Sequence, residues 1–316
     1  MKILIADKSN DICAKILNEN GIEAVVKTGM TPDELKGCVA EYEGIIVRSA
    51  TTLTKEIIDS ASNLKATVRA GIGVDNIDIP ACTEKKVLVM NTPLGNAVST
   101  AEHAIAMMMS LCRFIPQANA STHAGKWEKK KYGVGIEAYN KTLGIIGLGA
   151  IGSIVADRAL GLRMKVIAYN PTLTPEKAEK LGVESVSLEE LYKRSDFISY
   201  HVSMRETSKG MINKEAISKM KDGVRIVNCA RGGIMNEADI KEGLESGKIA
   251  GFAIDVFPTE PAKESVLFGM EKVIATPHIA ASTKEAQVNV ARQAAEQISD
   301  YLLNGVKKNT KNGDQI

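Results

Sequence analysis

Three segments of the chain carry polar side chains that can move protons or hold charge, each in apolar or glycine-rich surroundings. They are residues 228–233, 255–261 and 276–283, and they contain Arg231, Glu260 and His278. Arginine can hold a carboxylate through two parallel hydrogen bonds. Histidine can take the proton of a hydroxyl group as hydride leaves the carbon that bears this hydroxyl. Glutamate can orient the imidazole and favour its charged form. Together they predict oxidation of a hydroxy acid, although each alone also fits an ordinary loop position.

A glycine-rich turn precedes these segments. Gly147, Gly149 and Gly152 form the pattern GxGxxG between an apolar run and a helical pattern. The first glycine allows a tight turn, the second lets the backbone approach a pyrophosphate, and the third allows close packing of helix on strand. The helix N-terminus supplies N–H donors for the phosphates. This context predicts a dinucleotide site rather than a bare tight turn.

The position that usually selects between NAD and NADP holds an unusual residue. The glycine pattern calls for an acidic residue about 20 positions further on, to bind the adenosine ribose. Here Asn170 ends the next apolar run, and no arginine follows within residues 171–180. Asparagine can bond a ribose hydroxyl, but it does not repel a 2′-phosphate. We therefore predict NAD as the cofactor, with NADP as the alternative.

Short β-branched runs alternate with amphipathic stretches along the chain, which is typical of parallel strands covered by helices on both faces. Ser-x-x-Glu patterns at Ser99, Ser187 and Ser282, and a Thr-Pro-Asp-Glu pattern at Thr31, predict helix starts. We predict an α/β fold with two doubly wound parallel-sheet domains, one flavodoxin-like and one Rossmann. The strand candidates are residues 2–6, 44–48, 65–69 and 86–90, then 142–147, 164–169, 196–201, 224–229, 251–256 and 272–277.

The last helical pattern, about 283–303, has no strand after it. Val290, Ala294, Ile298 and Leu302 form an apolar stripe along it. We predict that this helix packs on the first domain, which makes that domain discontinuous. The predicted domains are a substrate-binding domain of residues 1–98 plus 285–316 and a dinucleotide-binding domain of residues 99–284. The polar residues from Asn304 onward are expected to be frayed.

Composition restricts the partners of the chain. Lys plus Arg is 40 and Asp plus Glu is 38, so the formal net charge is +2, which does not favour coating of nucleic acid or of a membrane. The five cysteines are scattered without a CxxC pair, which predicts reduced thiols and no metal site. Uncharged stretches fall short of the ~20 residues of a spanning helix. We therefore expect a cytoplasmic protein without nucleic-acid or membrane partners.

Nine short motifs occur in order along the chain and together resemble the D-2-hydroxyacid dehydrogenase family, over about residues 1–305. Within that family the resemblance is greatest to members whose hydroxy-acid substrate carries a phosphate. The motifs lie at 47–51, 69–78, 90–93, 99–103, 125–132, 144–152, 227–233, 255–261 and 276–283.

The resemblance implies roles for individual residues. Arg231 would bind and polarise the substrate, His278 would be the acid/base, and Glu260 would be its partner. The substrate carboxylate would meet the backbone of the loop at Arg69, Gly71 and Gly73, with Arg48 and Ser49 nearby. At the position of Asn170 the family usually has Asp. Asp255 would accept a hydrogen bond from the nicotinamide carboxamide. The implied cofactor contacts are Ile72, Ala150, Ile151, Asn170, Val202, Cys229, Ala230 and Asp255.

A lysine cluster lies in residues 125–132, where Lys126 and Lys129, Lys130 and Lys131 flank Trp127. Such a run is ordinarily a solvated charged surface. The resemblance gives it a task, because a substrate phosphate must be met by cations. Residues 99–135 resemble the dimerisation element of the family, so we predict a homodimer in which these lysines reach the partner's active site.

Two other classes of function share much of this pattern, namely other dehydrogenases of the family and a binding protein. A glyoxylate/hydroxypyruvate reductase or a D-lactate dehydrogenase would use the same three catalytic residues. A corepressor of this family would use the fold as a cofactor-gated binding module. Members that sense serine carry an additional regulatory domain, for which 316 residues leave no room. The length therefore predicts weak or absent inhibition by serine.

Overall fold

The computed structural model describes all 316 residues, and the chain divides into two compact units. The first unit is Met1–Ala97 with Ser282–Ile316, and the second is Val98–Ala281. Val98 thus lies in the second unit and residues 282–284 in the first. None of the helices combines the length and the apolar composition that a membrane-spanning helix needs.

The first unit contains a five-stranded parallel sheet. Its strands are β1 (Lys2–Ile5), β2 (Glu23–Val26), β3 (Gly44–Val47), β4 (Ala66–Arg69) and β5 (Leu88–Asn91). They lie in the order β2-β1-β3-β4-β5, which is the flavodoxin-like order. The central strand β3 is a continuous apolar run that is buried on both faces. Its first four helices are α1 (Ile12–Glu19), α2 (Pro32–Cys38), α3 (Lys55–Ser60) and α4 (Ile79–Glu84).

The helix α13 (Lys284–Asn304) returns to this sheet, as its apolar stripe predicts. Val290, Ala294 and Ile298 are buried in one core cluster with residues of β1, β3, β4 and β5, and Leu302 packs at its edge. The side chain of Thr283 caps the helix by accepting from Ala286 N. The cap predicted at Ser282 therefore lies one residue further along.

The expectation of a frayed C-terminal segment is wrong. Thr310 forms an antiparallel bridge with Met90, so the segment pairs with the edge strand β5. Asn312 is buried, and its amide accepts from Val89 N and donates to Val87 O. A polar side chain is held here because its hydrogen bonds satisfy backbone groups of the edge strand.

The second unit contains a seven-stranded parallel sheet. Its strands are β6 (Thr142–Ile146), β7 (Lys165–Tyr169), β8 (Glu184–Ser185), β9 (Phe197–Tyr200), β10 (Val224–Asn228), β11 (Ile249–Ile254) and β12 (Val273–Ala275). They lie in the order β12-β11-β10-β9-β6-β7-β8, which is the Rossmann order with one strand added. Its helices are α5 (Ala97–Arg113, whose first residue belongs to the first unit), α6 (Ile115–His123), α7 (Lys129–Tyr132), α8 (Ala150–Gly161), α9 (Pro175–Lys180), α10 (Leu188–Arg194), α11 (Lys214–Lys219) and α12 (Glu237–Glu245).

The predicted helix starts had mixed outcomes. Thr31 and Glu34 form the full capping box of α2, and the Ser187 side chain caps α10. Ser99 does not begin a helix, because α5 already starts at Ala97. The fold class itself, two parallel-sheet α/β domains, is confirmed.

Candidate active site

The glycine turn lies between β6 and α8 and has the geometry of a phosphate cradle. Gly147 has φ 94°, and a Cβ at Gly152 would overlap the Gly147 carbonyl oxygen, so helix and strand approach closely. Gly149 is the N-cap residue of α8, and a Cβ there would meet no atom within 4 Å. This leaves open space in front of a 12-residue helix whose first N–H groups lack helical acceptors. The residues therefore fit a dinucleotide.

The other predicted cofactor residues of this unit lie at strand ends. Ala150 and Ile151 form the first turn of α8, and Val202 follows β9. Cys229 and Ala230 are buried directly after β10. Asn170 follows β7, and its Nδ2 donates to Thr172 Oγ1 at 2.9 Å. These positions lie at the carboxyl edge of the sheet, where doubly wound folds bind ligands.

Arg231 is presented by a turn that Asn228 organises. The fully buried Asn228 accepts from Ala230 N through Oδ1 and donates to Arg231 O through Nδ2, both at 3.0 Å. Arg231 Nη1 donates to Ala230 O at 2.7 Å. A Cβ at Gly232 would overlap the Phe257 backbone, so the loop after β10 packs directly on the loop after β11. Asn228 is not among the residues predicted for the site from sequence, although its place at the end of β10, three residues before Arg231, is a signal for such a role.

Glu260 and His278 meet across the loops that follow β11 and β12. Glu260 Oε2 lies 2.6 Å from His278 Nδ1, and Glu260 Oε1 accepts from Phe257 N at 2.9 Å. His278 has φ 54°, a left-handed backbone, and its N–H donates to Thr276 O at 3.0 Å. With Nδ1 facing the carboxylate, Nε2 is the nitrogen left to exchange a proton with a substrate. Strands β10, β11 and β12 are neighbours, so Arg231, Glu260 and His278 share one edge of the sheet.

Asp255, predicted to contact the nicotinamide, has no exposed surface. Its Oδ1 accepts from Ile279 N and its Oδ2 from Ala280 N, both at 2.9 Å. Thr276 also donates its hydroxyl to Asp255 Oδ1. The carboxylate thus faces the loop of His278, and its contact with the cofactor stays a prediction.

The predicted substrate residues Arg48, Ser49, Arg69, Gly71 and Gly73 all lie in the first unit, as does the predicted cofactor residue Ile72. The first two follow β3 and the others end or follow the adjacent strand β4, so they share one edge of that sheet. The buried Asp7 accepts from Arg48 N at 2.5 Å. A Cβ at Gly71 would overlap the Arg69 guanidinium, so this glycine leaves room for that side chain.

The predicted phosphate-binding lysines form the short helix α7. Lys129 and Lys130 are exposed. Lys131 Nζ lies 2.8 Å from Glu271 Oε1, and it lies 5.1 Å from the ring centre of Tyr132. Lys131 thus already forms an ion pair within its own unit, whereas the side chains of Lys129 and Lys130 are exposed to solvent.

Comparison with known proteins agrees with this architecture. The sequence profile of the family "D-isomer specific 2-hydroxyacid dehydrogenase, NAD binding domain" matches residues 105–280. The chain is 48% identical to D-3-phosphoglycerate dehydrogenase of Archaeoglobus fulgidus over 94% of its own length and 56% of that relative. It is 46% identical to the Synechocystis sp. enzyme of the same name over 96% of its length and 54% of that relative.

Similarity to solved structures extends over both units. A glyoxylate reductase from Paecilomyes thermophila is 27% identical with a TM-score of 0.91, covering 100% of this chain and 99% of that one. The chain spans about half the length of the curated relatives above. Because the family profile covers more than half of the chain, the protein belongs to the D-isomer specific 2-hydroxyacid dehydrogenase family.

Proposed function

We propose that the protein is an NAD-dependent dehydrogenase that oxidises D-3-phosphoglycerate to 3-phosphohydroxypyruvate, the first step of phosphorylated serine biosynthesis. The observation that carries this proposal is the Glu260–His278 pair at 2.6 Å, on the same sheet edge as Arg231. The glycine turn of the same sheet supplies the dinucleotide cradle. The names of the relatives at 46–48% identity support the choice of substrate.

Each of the three residues has a distinct task in this reaction. Arg231 binds the substrate by charge-assisted hydrogen bonds and polarises the reacting carbon–oxygen bond. His278 Nε2 takes the hydroxyl proton, and Glu260 at Nδ1 fixes the ring and stabilises the imidazolium that forms. The cofactor, when bound, supplies the hydride acceptor. In the reverse direction His278 returns the proton to the carbonyl oxygen.

NAD is the cofactor that the family profile names, and the glycine turn fits it. Asn170 would meet the adenosine ribose as a hydrogen-bonding group without charge. We therefore propose a preference for NAD that is weaker than an aspartate at this position would give, since no negative charge repels a 2′-phosphate.

We further propose a homodimer formed through about residues 99–135, in which lysines of one subunit bind the substrate phosphate of the other. The exposed Lys129 and Lys130 support this role more than Lys131 does, because Lys131 is paired with Glu271. Exposed apolar side chains in the same segment, among them Trp127 at 85% exposure, support the interface.

Absorbance at 340 nm, followed with a panel of hydroxy acids and both cofactors, tests the substrate proposal. D-3-phosphoglycerate with NAD should give the largest kcat/KM. Faster turnover of an unphosphorylated acid, or of glyoxylate in the reverse direction, would instead support the reductase alternative. The complete lack of hydride transfer would support a binding module.

The same assay tests the lysines. Combined replacement of Lys129, Lys130 and Lys131 by alanine should raise KM for the phosphorylated substrate by about tenfold, since each phosphate contact is charge-assisted. KM for an unphosphorylated hydroxy acid should change little. The matched control removes three exposed or paired lysines on other helices of the unit, Lys193, Lys214 and Lys219. Equal effects on both substrates would refute the phosphate role.

A further inference from the structure

The loop that contains His278 is hydrogen-bonded to one buried carboxylate, that of Asp255. Asp255 accepts the N–H groups of both residues that follow His278, Ile279 and Ala280. His278 itself has a left-handed backbone, which is unfavourable for a residue with a side chain. Such a conformation persists only where the surrounding structure fixes it. The contacts of Asp255 provide that constraint on one side of His278.

A second arm fixes the other side of His278. Thr276 donates its hydroxyl proton to Asp255 Oδ1 at 2.5 Å. The hydroxyl oxygen of Thr276, Oγ1, also lies 3.0 Å from Nε2 of His103, a residue of α5. A hydroxyl has one proton, so the Thr276 oxygen accepts here and the Nε2–H of His103 donates. His103 Nε2 also lies 3.6 Å from Asp255 Oδ1. The chain of contacts therefore runs from α5 through the strand end to the loop.

We propose that His103, Thr276 and Asp255 form a positioning network that fixes the left-handed loop and so aims Nε2 of His278 at the substrate hydroxyl. His103 and Thr276 do this without touching the substrate. The inference rests on the proposed function, because it takes His278 as the group that moves the proton. Loss of either arm should slow the reaction while leaving the binding of substrate and cofactor in place.

Two pairs of variants separate positioning from general structural support. Thr276→Val and His103→Leu remove the hydrogen bonds, whereas Thr276→Ser and His103→Gln retain an equivalent hydroxyl or N–H donor. With D-3-phosphoglycerate and NAD, the first pair should lower kcat by about 10- to 100-fold with both KM values within about twofold of the wild type. The second pair should recover most of the lost kcat. Thr28→Val and Lys36→Leu, at exposed positions of the first unit, are the matched controls.

Amide hydrogen exchange tests the network without relying on turnover. In the wild type, the amides of Ile279 and Ala280 should exchange slowly because both are bound to a buried carboxylate. Thr276→Val and His103→Leu should speed their exchange by about tenfold or more, and the control variants should not.

The two measurements distinguish failure of the network from failure of the proposed function. Wild-type kcat together with wild-type exchange in Thr276→Val and His103→Leu would overturn the network. A loss of kcat that Ser and Gln do not restore would overturn it as well. A wild-type protein that turns over no hydroxy acid would overturn the proposed function, and the exchange rates alone would then decide for or against the network.

Discussion

Glu260 uses its two carboxylate oxygens for two different partners. One oxygen accepts from the Phe257 backbone and the other faces the imidazole of His278. The backbone contact fixes the side chain in one orientation, so the second oxygen is directed at His278 before a substrate arrives. Orientation that is set in advance lowers the reorganisation that the reaction requires.

Another histidine, His201, packs against the glycine turn. A Cβ at Gly147 would meet the His201 carbonyl carbon and oxygen. Nε2 of the imidazole lies 2.8 Å from the Ser199 hydroxyl, and its buried Nδ1 has no hydrogen-bond partner. Burial lowers the pKa of His201 from 6.5 to about 4.

This low pKa predicts an acid sensitivity of folding. Between pH 6.5 and about 4 the unfolded chain binds a proton at this histidine and the folded chain does not, so the free energy of unfolding falls as the pH drops. The slope is at most about 1.4 kcal/mol per pH unit. Urea unfolding at several pH values down to about pH 5 should show this dependence, and His201→Gln should weaken it. An equal pH dependence in His201→Gln, or a comparable change in the exposed control His123→Gln, would refute the assignment.

At the scale of residues, sequence predicts best the groups whose type defines their chemistry. The expectation that Glu260 partners His278 rests on residue type. In the structure Glu260 Oε2 lies 2.6 Å from His278 Nδ1. Asn228 and Thr276 could not be recognised in this way. Their roles depend on hydrogen bonds across turns, and Asn and Thr at strand ends form such bonds in many loops.

The C-terminal segment covers the exposed edge of the first sheet. An unpaired edge strand offers its N–H and C=O groups to other chains, and natural proteins commonly cover it. Here Lys311 N donates to Val89 O and the Asn312 amide completes the pairing with β5. The Asn312 amide also makes a third hydrogen bond, in which Nδ2 donates to Thr83 Oγ1 at 3.0 Å.

Removal of that amide should destabilise the first unit. Asn312→Ala leaves Val89 N of β5 and Val87 O just before it without their side-chain partner, which should lower the free energy of unfolding by about 1–3 kcal/mol. Chemical denaturation followed by circular dichroism measures the change. Asn304→Ala, at an exposed position near the end of α13, should have a much smaller effect. If the two variants are equally stable, the segment does not hold the edge strand.

The elements missed from sequence share a physical reason. The strand β2 is an edge strand with exposed ends, and β8 has only two residues, both exposed. Neither has the continuous apolar run that reveals a buried parallel strand. The pairing of the C-terminal segment depends on the Asn312 amide and on backbone groups rather than on apolar side chains, so composition alone suggested fraying. Strands buried on both faces, such as β3 and β5, were predictable for the opposite reason.

Residues 99–135, the segment proposed to join two molecules into a dimer, contain both buried and exposed apolar side chains. Met107 and Met108 belong to the core of the second unit and are not available to a partner. Ile115 and Trp127 are 52% and 85% exposed. A dimer built on this segment would therefore use the side chains of α6 and the loop after it rather than the methionines.

Charged residues at those two positions should prevent dimer formation. Ile115→Glu combined with Trp127→Glu places unpaired carboxylates in the proposed interface, which is unfavourable without compensating partners. Sedimentation velocity should show a dimer for the wild type and a monomer for the variant. Val26→Glu with Leu94→Glu, exposed positions of the first unit, should remain dimeric. A monomeric wild type, or a variant that still dimerises, would contradict the proposed interface.

Comparison of the wild type with His278→Ala tests whether His278 is the acid/base of the reaction. With D-3-phosphoglycerate and NAD, we expect kcat to fall by about 100- to 10,000-fold, because the proton acceptor is lost. The dissociation constant of NADH, measured by fluorescence titration, should stay close to that of the wild type, because His278 is not among the residues proposed to hold the cofactor. Wild-type kcat in His278→Ala would show that His278 does not take the hydroxyl proton.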